Sequence, residues 1–242
     1  MFLSVILASL VVITSCASNA QEYEGEEASI GNYSYMGVLT ITKRFIIPIK
    51  WWQHRCVSVI VSPEYAVTSA RCAKKKYISG TSRKFTYDCS DLREPDCNHL
   101  KLRNQAIIHP DYTNQADNDI AVFRIEKPIK NENLKPVKLP ESSGSEPEGN
   151  GTLVFWASSE NEYLFSVLRE LPVSVTKCSE ELASETSFCV GDLVSPEDIE
   201  RGSAFVIGET LYGIVRDFHG NQVALTNVGP MASFIKRVAD LD

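Results

Sequence analysis

The sequence predicts an all-β fold closed by one C-terminal helix. Three observations carry that expectation. Short apolar runs rich in Val, Ile, Phe and Tyr recur along the chain. Turn-forming residues separate them. Only the closing segment places its apolar residues at helical spacing.

Taken in order, the candidate strands are Met36–Ile41, Val57–Val61, Tyr65–Thr68, Gln105–Ile108 and Ile120–Ile125, followed by Thr152–Trp156, Ala204–Ile207, Leu211–Val215 and Val223–Val228. Ser62-Pro63-Glu64, Ser79-Gly80 and His109-Pro110-Asp111 supply the turns of the first half. His219-Gly220-Asn221 turns the chain in the second half. Glu141 to Gly151, rich in Ser, Gly and Glu, is the most linker-like stretch. Pro230 to Leu241 carries Met231, Phe234, Ile235 and Val238 on one helical face, so it reads as an amphipathic helix. Many strands and one terminal helix give a β-sandwich or barrel.

The chain's 242 residues allow one large domain or two small ones. A hydrophobic content of 43% with 23% charged residues is ordinary globular composition, which excludes a disordered or collagen-like chain. The net charge of −7 argues against a nucleic-acid binder, which shows a basic face. Phe2 to Ile13 is almost wholly apolar but too short to span a bilayer. Ser18 and Ala20 fit a signal-peptidase site, so residues 1–20 read as a removed signal peptide, Gln21 as the mature start and the protein as secreted. The alternative is a bacterial lipoprotein anchored through Cys16, although that box follows a basic n-region and this one lacks Lys and Arg. No other apolar run reaches about 18 residues, so no membrane span is expected.

Removing the signal removes one of seven cysteines. Cys56, Cys72, Cys89, Cys97, Cys178 and Cys189 remain, and an even number in an exported chain suggests disulfides. Spacing alone does not choose among the connectivities; the sequential pairing is the simplest. Asn32-Tyr33-Ser34 and Asn150-Gly151-Thr152 are sequons, which makes Asn32 and Asn150 candidate glycosylation sites.

The segment Cys56 to Cys72, with Ser62-Pro63 between two apolar strands and Thr68-Ser69-Ala70-Arg71-Cys72 at its end, resembles a trypsin-like serine protease. His109-Pro110-Asp111-Tyr112 and Asp119-Ile120-Ala121 are similar to that family's His-Pro-x-Tyr loop and Asp-Ile-Ala strand. Val137-Lys138-Leu139-Pro140, Phe188-Cys189-Val190-Gly191 and Leu211-Tyr212-Gly213-Ile214-Val215 continue the likeness, which covers the mature chain from about Gly25 onward. The resemblance implies two antiparallel six-stranded β-barrels. The first runs over about 25–130 and the second over about 134–228, with a C-terminal helix over about 230–241, in a single domain from 21 to 242. Cys89 and Cys97 resemble a disulfide-bearing loop of insect clip-type proteases.

The same resemblance locates several departures. Arg71 stands where the family has its general-base His, and Arg201 where it has the nucleophilic Ser. Asp119 keeps the aspartate position. Arg stays protonated and has no nucleophilic atom at neutral pH, so neither replacement does the work of the residue it replaces. Ile199 takes the place of the oxyanion glycine, and Ser195 falls near the specificity residue. Glu197 replaces a half-cystine whose partner near His219-Gly220 is also gone, and Arg216-Asp217-Phe218 replaces the Ser-Trp-Gly edge that pairs with substrate. Glu200 keeps a carboxylate where a cleaved N-terminal amine pairs in the family, yet no basic cleavage residue precedes Gly25 and no such amine is produced. Ser203 lies two residues beyond the nucleophile position. His54 matches a common family histidine, His109 is a turn residue, and His99 and His219 read as loop residues.

These residues imply a non-catalytic serine protease homolog that works by binding proteins, active serine proteases or their substrates among them. The roles open to it are decoy, protease cofactor or regulator, and secreted ligand in immune, venom or reproductive fluid; the alternative is residual serine-type hydrolase activity. No cofactor and no metal are expected. Asp119 should be partly buried, and Arg71 should satisfy it in a charge-assisted pair. The alternative is that Arg71 swings to solvent while Asp119 keeps hydrogen bonds to backbone.

Overall fold

The computed structural model describes residues 24–45, 50–74, 81–102, 105–113, 115–141, 147–157 and 167–241. The signal segment 1–20, Cys16 and the His54 side chain lie outside the described residues.

The first half builds β1 (Glu26–Glu27), β2 (Met36–Phe45), β3 (Lys50–Ser62), β4 (Tyr65–Thr68), the one-turn α1 (Ala70–Ala73), β5 (Thr81–Tyr87), β6 (Asn98–Lys101), β7 (Ile107–Ile108) and β8 (Ala121–Arg124). The second half builds β9 (Asn150–Trp156), β10 (Leu168–Thr176), β11 (Ser187–Val190), β12 (Ala204–Ile207), β13 (Thr210–His219), β14 (Gln222–Asn227) and α2 (Val228–Ala239). Among the described residues the strand pairings within the two sheets are antiparallel. One sheet runs β6-β5-β2-β3-β4-β8-β7; the other runs β1-β10-β11-β14-β13-β12-β9, and an added β9–β10 pairing closes six of its strands into a barrel. Among the described residues the first sheet has no such closing pair.

Five strands, β1, β5, β6, β10 and β11, go beyond the expected set. β5 opens on four polar residues, Thr81 to Lys84, and β10 carries Arg169, Glu170, Ser174 and Thr176, so neither reads as an apolar run. β10 also contains Pro172, which sits opposite Thr152 in the ladder. His99, expected in a loop, belongs to β6, where its Nδ1 lies 3.1 Å from Thr86 Oγ1. β2 and β3 extend past Ile41 and before Val57 as one long hairpin, pairing Met36 with Val59 and Phe45 with Lys50.

Core packing follows the alternation. Phe85, Ile41, Met36 and Ile60 fill the first sheet's interior. Leu153, Phe155, Phe188 and Phe205 fill the barrel, with Phe188 edge-on to Phe205 at 5.4 Å. Burying each such side chain contributes roughly 1.5–3 kcal/mol. Helix α2 begins two residues before the expected Pro230, because Asn227 Oδ1 accepts the Gly229 N–H at 3.0 Å and caps it. Pro230 then falls in the first turn, where no intrahelical donor is required. Met231, Phe234 and Ile235 bury its apolar face in the same cluster as β2 and β3. Three disulfides pin local loops: Cys56–Cys72, Cys89–Cys97 and Cys178–Cys189.

Candidate functional site: a double-arginine cleft

The site forms where the two sheets meet. Val57 N–H in β3 donates to Arg201 O at 2.9 Å, joining the first sheet to the turn before β12. That approach needs Gly202, which has φ +90°; a Cβ there would lie 2.0 Å from Val57 O. Gly202 N–H also donates to Val215 O at 2.9 Å, so the turn is fixed from both sides. Arg201 is thereby held beside β13, and α1 presents Arg71 across from it.

Asp119 lies at the floor and is 1% exposed, rather than partly buried as expected. Its Oδ2 accepts from Ser69 Oγ at 2.7 Å, and its Oδ1 accepts from the Arg71 backbone N–H at 2.8 Å. Burial pushes its carboxyl upward, against the pull of these two donors and the nearby arginines. The expected Arg71–Asp119 ion pair is not formed. The Arg71 guanidinium passes the aspartate, and its Nη1 reaches Asp217 Oδ2 on β13 at 3.3 Å. Asp119 has its two donors without it.

Arg201 turns to the same acceptor. Its Nη2 lies 3.3 Å from Asp217 Oδ1, and its Nε donates to Arg216 O at 2.5 Å. Asp217 therefore bridges two guanidiniums, one oxygen to each. Sequence reasoning had noted Asp217 only as part of a replaced edge; an acid on that edge opposite two new arginines was the available signal. Arg216 itself is buried, with Nη2 donating to Leu182 O at 2.6 Å and Nε without a partner. Its burial lowers its pKa, against the pull of Asp217 and Asp119.

The neighbouring donors and acceptors are committed elsewhere. Ile199 N–H closes a 3-10 turn onto Pro196 O at 3.2 Å, and Ile199 bridges Ala157. Ser203 is fully buried, and its hydroxyl donates to Glu200 O at 2.6 Å. A cavity of about 150 Å³ remains, lined by Glu197, Glu200, Arg201, Asp217 and Phe218 among others. Burial pushes the Glu200 carboxyl up to about 7, even with Arg201 and Arg55 pulling it down. Among the described residues no amine partners it; Glu24, near the start of the described chain, accepts the backbone N–H groups of Val194 and Ser195. Arg169 secures that segment by donating to Glu24 O at 2.8 Å and Gly25 O at 2.6 Å.

The remaining expected residues lie away from this cleft. Asn32 is exposed in a turn; Asn150 is exposed at the start of β9, its Oδ1 accepting from Ser174 Oγ at 2.8 Å. His109 packs on Phe234 with ring centroids 4.7 Å apart. Among the described residues no group of three or more His, Cys, Asp and Glu could hold a metal, and no helix is long and apolar enough to cross a membrane. Chemically, the cleft offers guanidinium donors and a bridging carboxylate.

Comparison with known proteins places this geometry. The chain is 25% identical over 238 residues to the thrombin-like enzyme ancrod-2 of Calloselasma rhodostoma, covering 87% of this chain and 83% of that protein. It is 27% identical over 187 residues to Ovochymase of Halocynthia roretzi, spanning 66% of this chain but only 11% of that protein. Granzyme M of Rattus norvegicus matches at 28% over 130 residues, 53% of this chain and 46% of the relative. The crystal structure of scabies mite inactivated protease paralogue S-I1 superposes with a TM-score of 0.73 at 18% identity, covering 90% of this chain and 99% of that one. The trypsin family model matches residues 22–237, so nearly the whole chain belongs to the trypsin family.

Proposed function

We propose that this chain is a secreted serine protease homolog without catalytic activity, which acts by binding another protein. The observation that carries the reading is the joint engagement of Arg71 and Arg201 by Asp217. These arginines stand at the positions that resemble the base and nucleophile. Neither guanidinium accepts a proton or attacks a carbonyl at neutral pH. Two further features support it. The Ile199 N–H, at the oxyanion position, is spent on Pro196 O. The Arg216 carbonyl, on the edge that would pair with a peptide backbone, is occupied by Arg201 Nε. The similarity in fold to structures described as inactivated protease paralogues, S-I1 and S-D1, points the same way.

Secretion is the reading of the leader over residues 1–20, supported by three disulfides. Sugar at Asn32 and Asn150 belongs to the same proposal, both being exposed. The protein bound is an active serine protease or a substrate of one, so the chain works as decoy, cofactor or regulator. The test has two arms. Purified protein should take up no fluorophosphonate serine probe and cleave no peptide library; stoichiometric labelling lost on mutating one residue would overturn the non-catalytic reading. Affinity capture from the native secretion should return a specific protein, and an empty capture counts against binding.

A further inference from the structure

We infer that the Arg71–Arg201 pair is a docking point for a side-chain carboxylate of an acidic partner segment, occupied in the free protein by Asp217. The inference rests on the binding reading above and names the chemistry of the partner. A carboxylate already sits there, one oxygen to each guanidinium, which shows that the spacing of the two arginines suits a two-oxygen planar group. Both contacts are 3.3 Å, longer than the usual 2.7–2.9 Å of charge-assisted bonds. The three side chains are 48%, 35% and 28% exposed for Arg71, Asp217 and Arg201. Exposed contacts of that length are weak, so Asp217 is a displaceable occupant.

The local charge favours an added anion. At the rim Arg71 and Arg201 share the single carboxylate of Asp217; of the other acids near the arginines, Asp119 is buried with its own donors, Asp117 accepts from Thr186, and Glu200 lies beside Arg201 at the cavity. Lys74, one helical turn from Arg71, lies over the Tyr112 ring at 5.6 Å and adds to the positive rim. Glu197 and Glu200 line the adjoining cavity, which directs an anion to the guanidinium rim rather than into the cavity. Phe218, beside Asp217, is 44% exposed and offers apolar contact to the residue next to the acid. The chain's net charge of −7 opposes an acidic partner only at long range, where salt screens beyond about 8 Å.

The experiment is fluorescence anisotropy with a labelled, C-terminally amidated Glu-Phe-Glu-Phe-Glu peptide, its Gln-for-Glu counterpart and a heparin oligosaccharide. Asp217→Asn, and Asp217→Ser as a second variant, should bind the Glu peptide about fivefold tighter than the native chain, a change of about 1 kcal/mol. Arg71→Gln and Arg201→Gln should each weaken it by a similar factor, with melts confirming that every variant is folded. The Gln peptide should show none of these changes. Equal affinity of native and Asp217 variants, indifference to the arginines, or preference for the oligosaccharide each overturns the inference. If the Asp217 variants gain nothing while capture from the secretion still returns a partner, only the docking point falls. If capture is empty or the fluorophosphonate probe labels the chain, the wider reading falls.

Discussion

Replacing Glu200 by Gln should stabilise the fold at neutral and alkaline pH. The Glu200 carboxyl lies against the cavity behind Arg201, and burial raises it from an ordinary 4.5 to about 7. In the unfolded chain it ionises near the ordinary value. Between those two pH values the folded chain keeps a proton that the unfolded chain has lost, so stability falls as pH rises through this window. Below about pH 4.5 both states are protonated and the group costs nothing; above about pH 7 the full penalty applies. At about 1.4 kcal/mol per pKa unit, a rise of this size corresponds to roughly 3 kcal/mol. Gln has the same shape and no titration. The difference between Glu200→Gln and the native protein should therefore be near zero at pH 4, grow through pH 5 and 6, and level off at roughly 3 kcal/mol by pH 8. Urea melts of both proteins across that range give the curve directly, and all other titrating groups cancel in the difference. A pH-independent difference, or a destabilised variant at pH 8, would refute a Glu200 carboxyl raised by desolvation.

Three further outcomes follow from the cleft. Asp119→Ala should cost about 2–4 kcal/mol by stranding two buried donors, Ser69 Oγ–H and Arg71 N–H. Arg71→Ala keeps its N–H, so a double-mutant cycle on denaturant melts should show coupling below about 0.5 kcal/mol; a larger value would mean the side chains pair. Gly202→Ala should lose more than about 2 kcal/mol, since its Cβ would meet Val57 O at 2.0 Å with φ at +90°, and a near-neutral melt would contradict that close approach. Restoring Arg71→His with Arg201→Ser should yield no ester-hydrolysis burst, because Ile199 N–H is still bonded to Pro196 O; a burst stoichiometric with protein would show that this donor is free to turn.

Much of the fold was legible because the signals are local. Tyr65–Thr68, Ala204–Ile207 and Val223–Val228 are mostly apolar and bounded by turn residues, and strands form there at Tyr65–Thr68, Ala204–Ile207 and Gln222–Asn227, whereas Val57–Val61 is only the end of the longer Lys50–Ser62. β5 and β10 were not legible by the same route. Their polar residues fall partly on solvent and partly, at Arg83 and Thr86, in the interior, and pairing with β2 and β9 supplies the order that their composition does not. The start of α2 moved for a similarly small reason: a single side-chain hydrogen bond from Gly229 to Asn227 fixes it.

The cleft divides along the same line. Sequence alone set the expectation that Arg71, Asp119 and Arg201 stand at the positions resembling the family's three key residues, because their flanking motifs are short and contiguous. That Arg71 and Arg201 carry guanidiniums, which neither take up a proton nor act as nucleophiles at neutral pH, follows from the residue type itself. Only the tertiary structure decided where the two guanidiniums go. Asp119 was the expected partner of Arg71, but Ser69 and a backbone N–H already fill its oxygens, and a buried carboxylate with two donors leaves a long side chain free to reach outward. The acceptor it finds, Asp217, lies 146 residues further along, on β13 beyond the part paired with β12, where it also meets Arg201. Charge pairing depends on distance in space and on which lone pairs remain unused, and neither quantity is written in the order of residues along the chain.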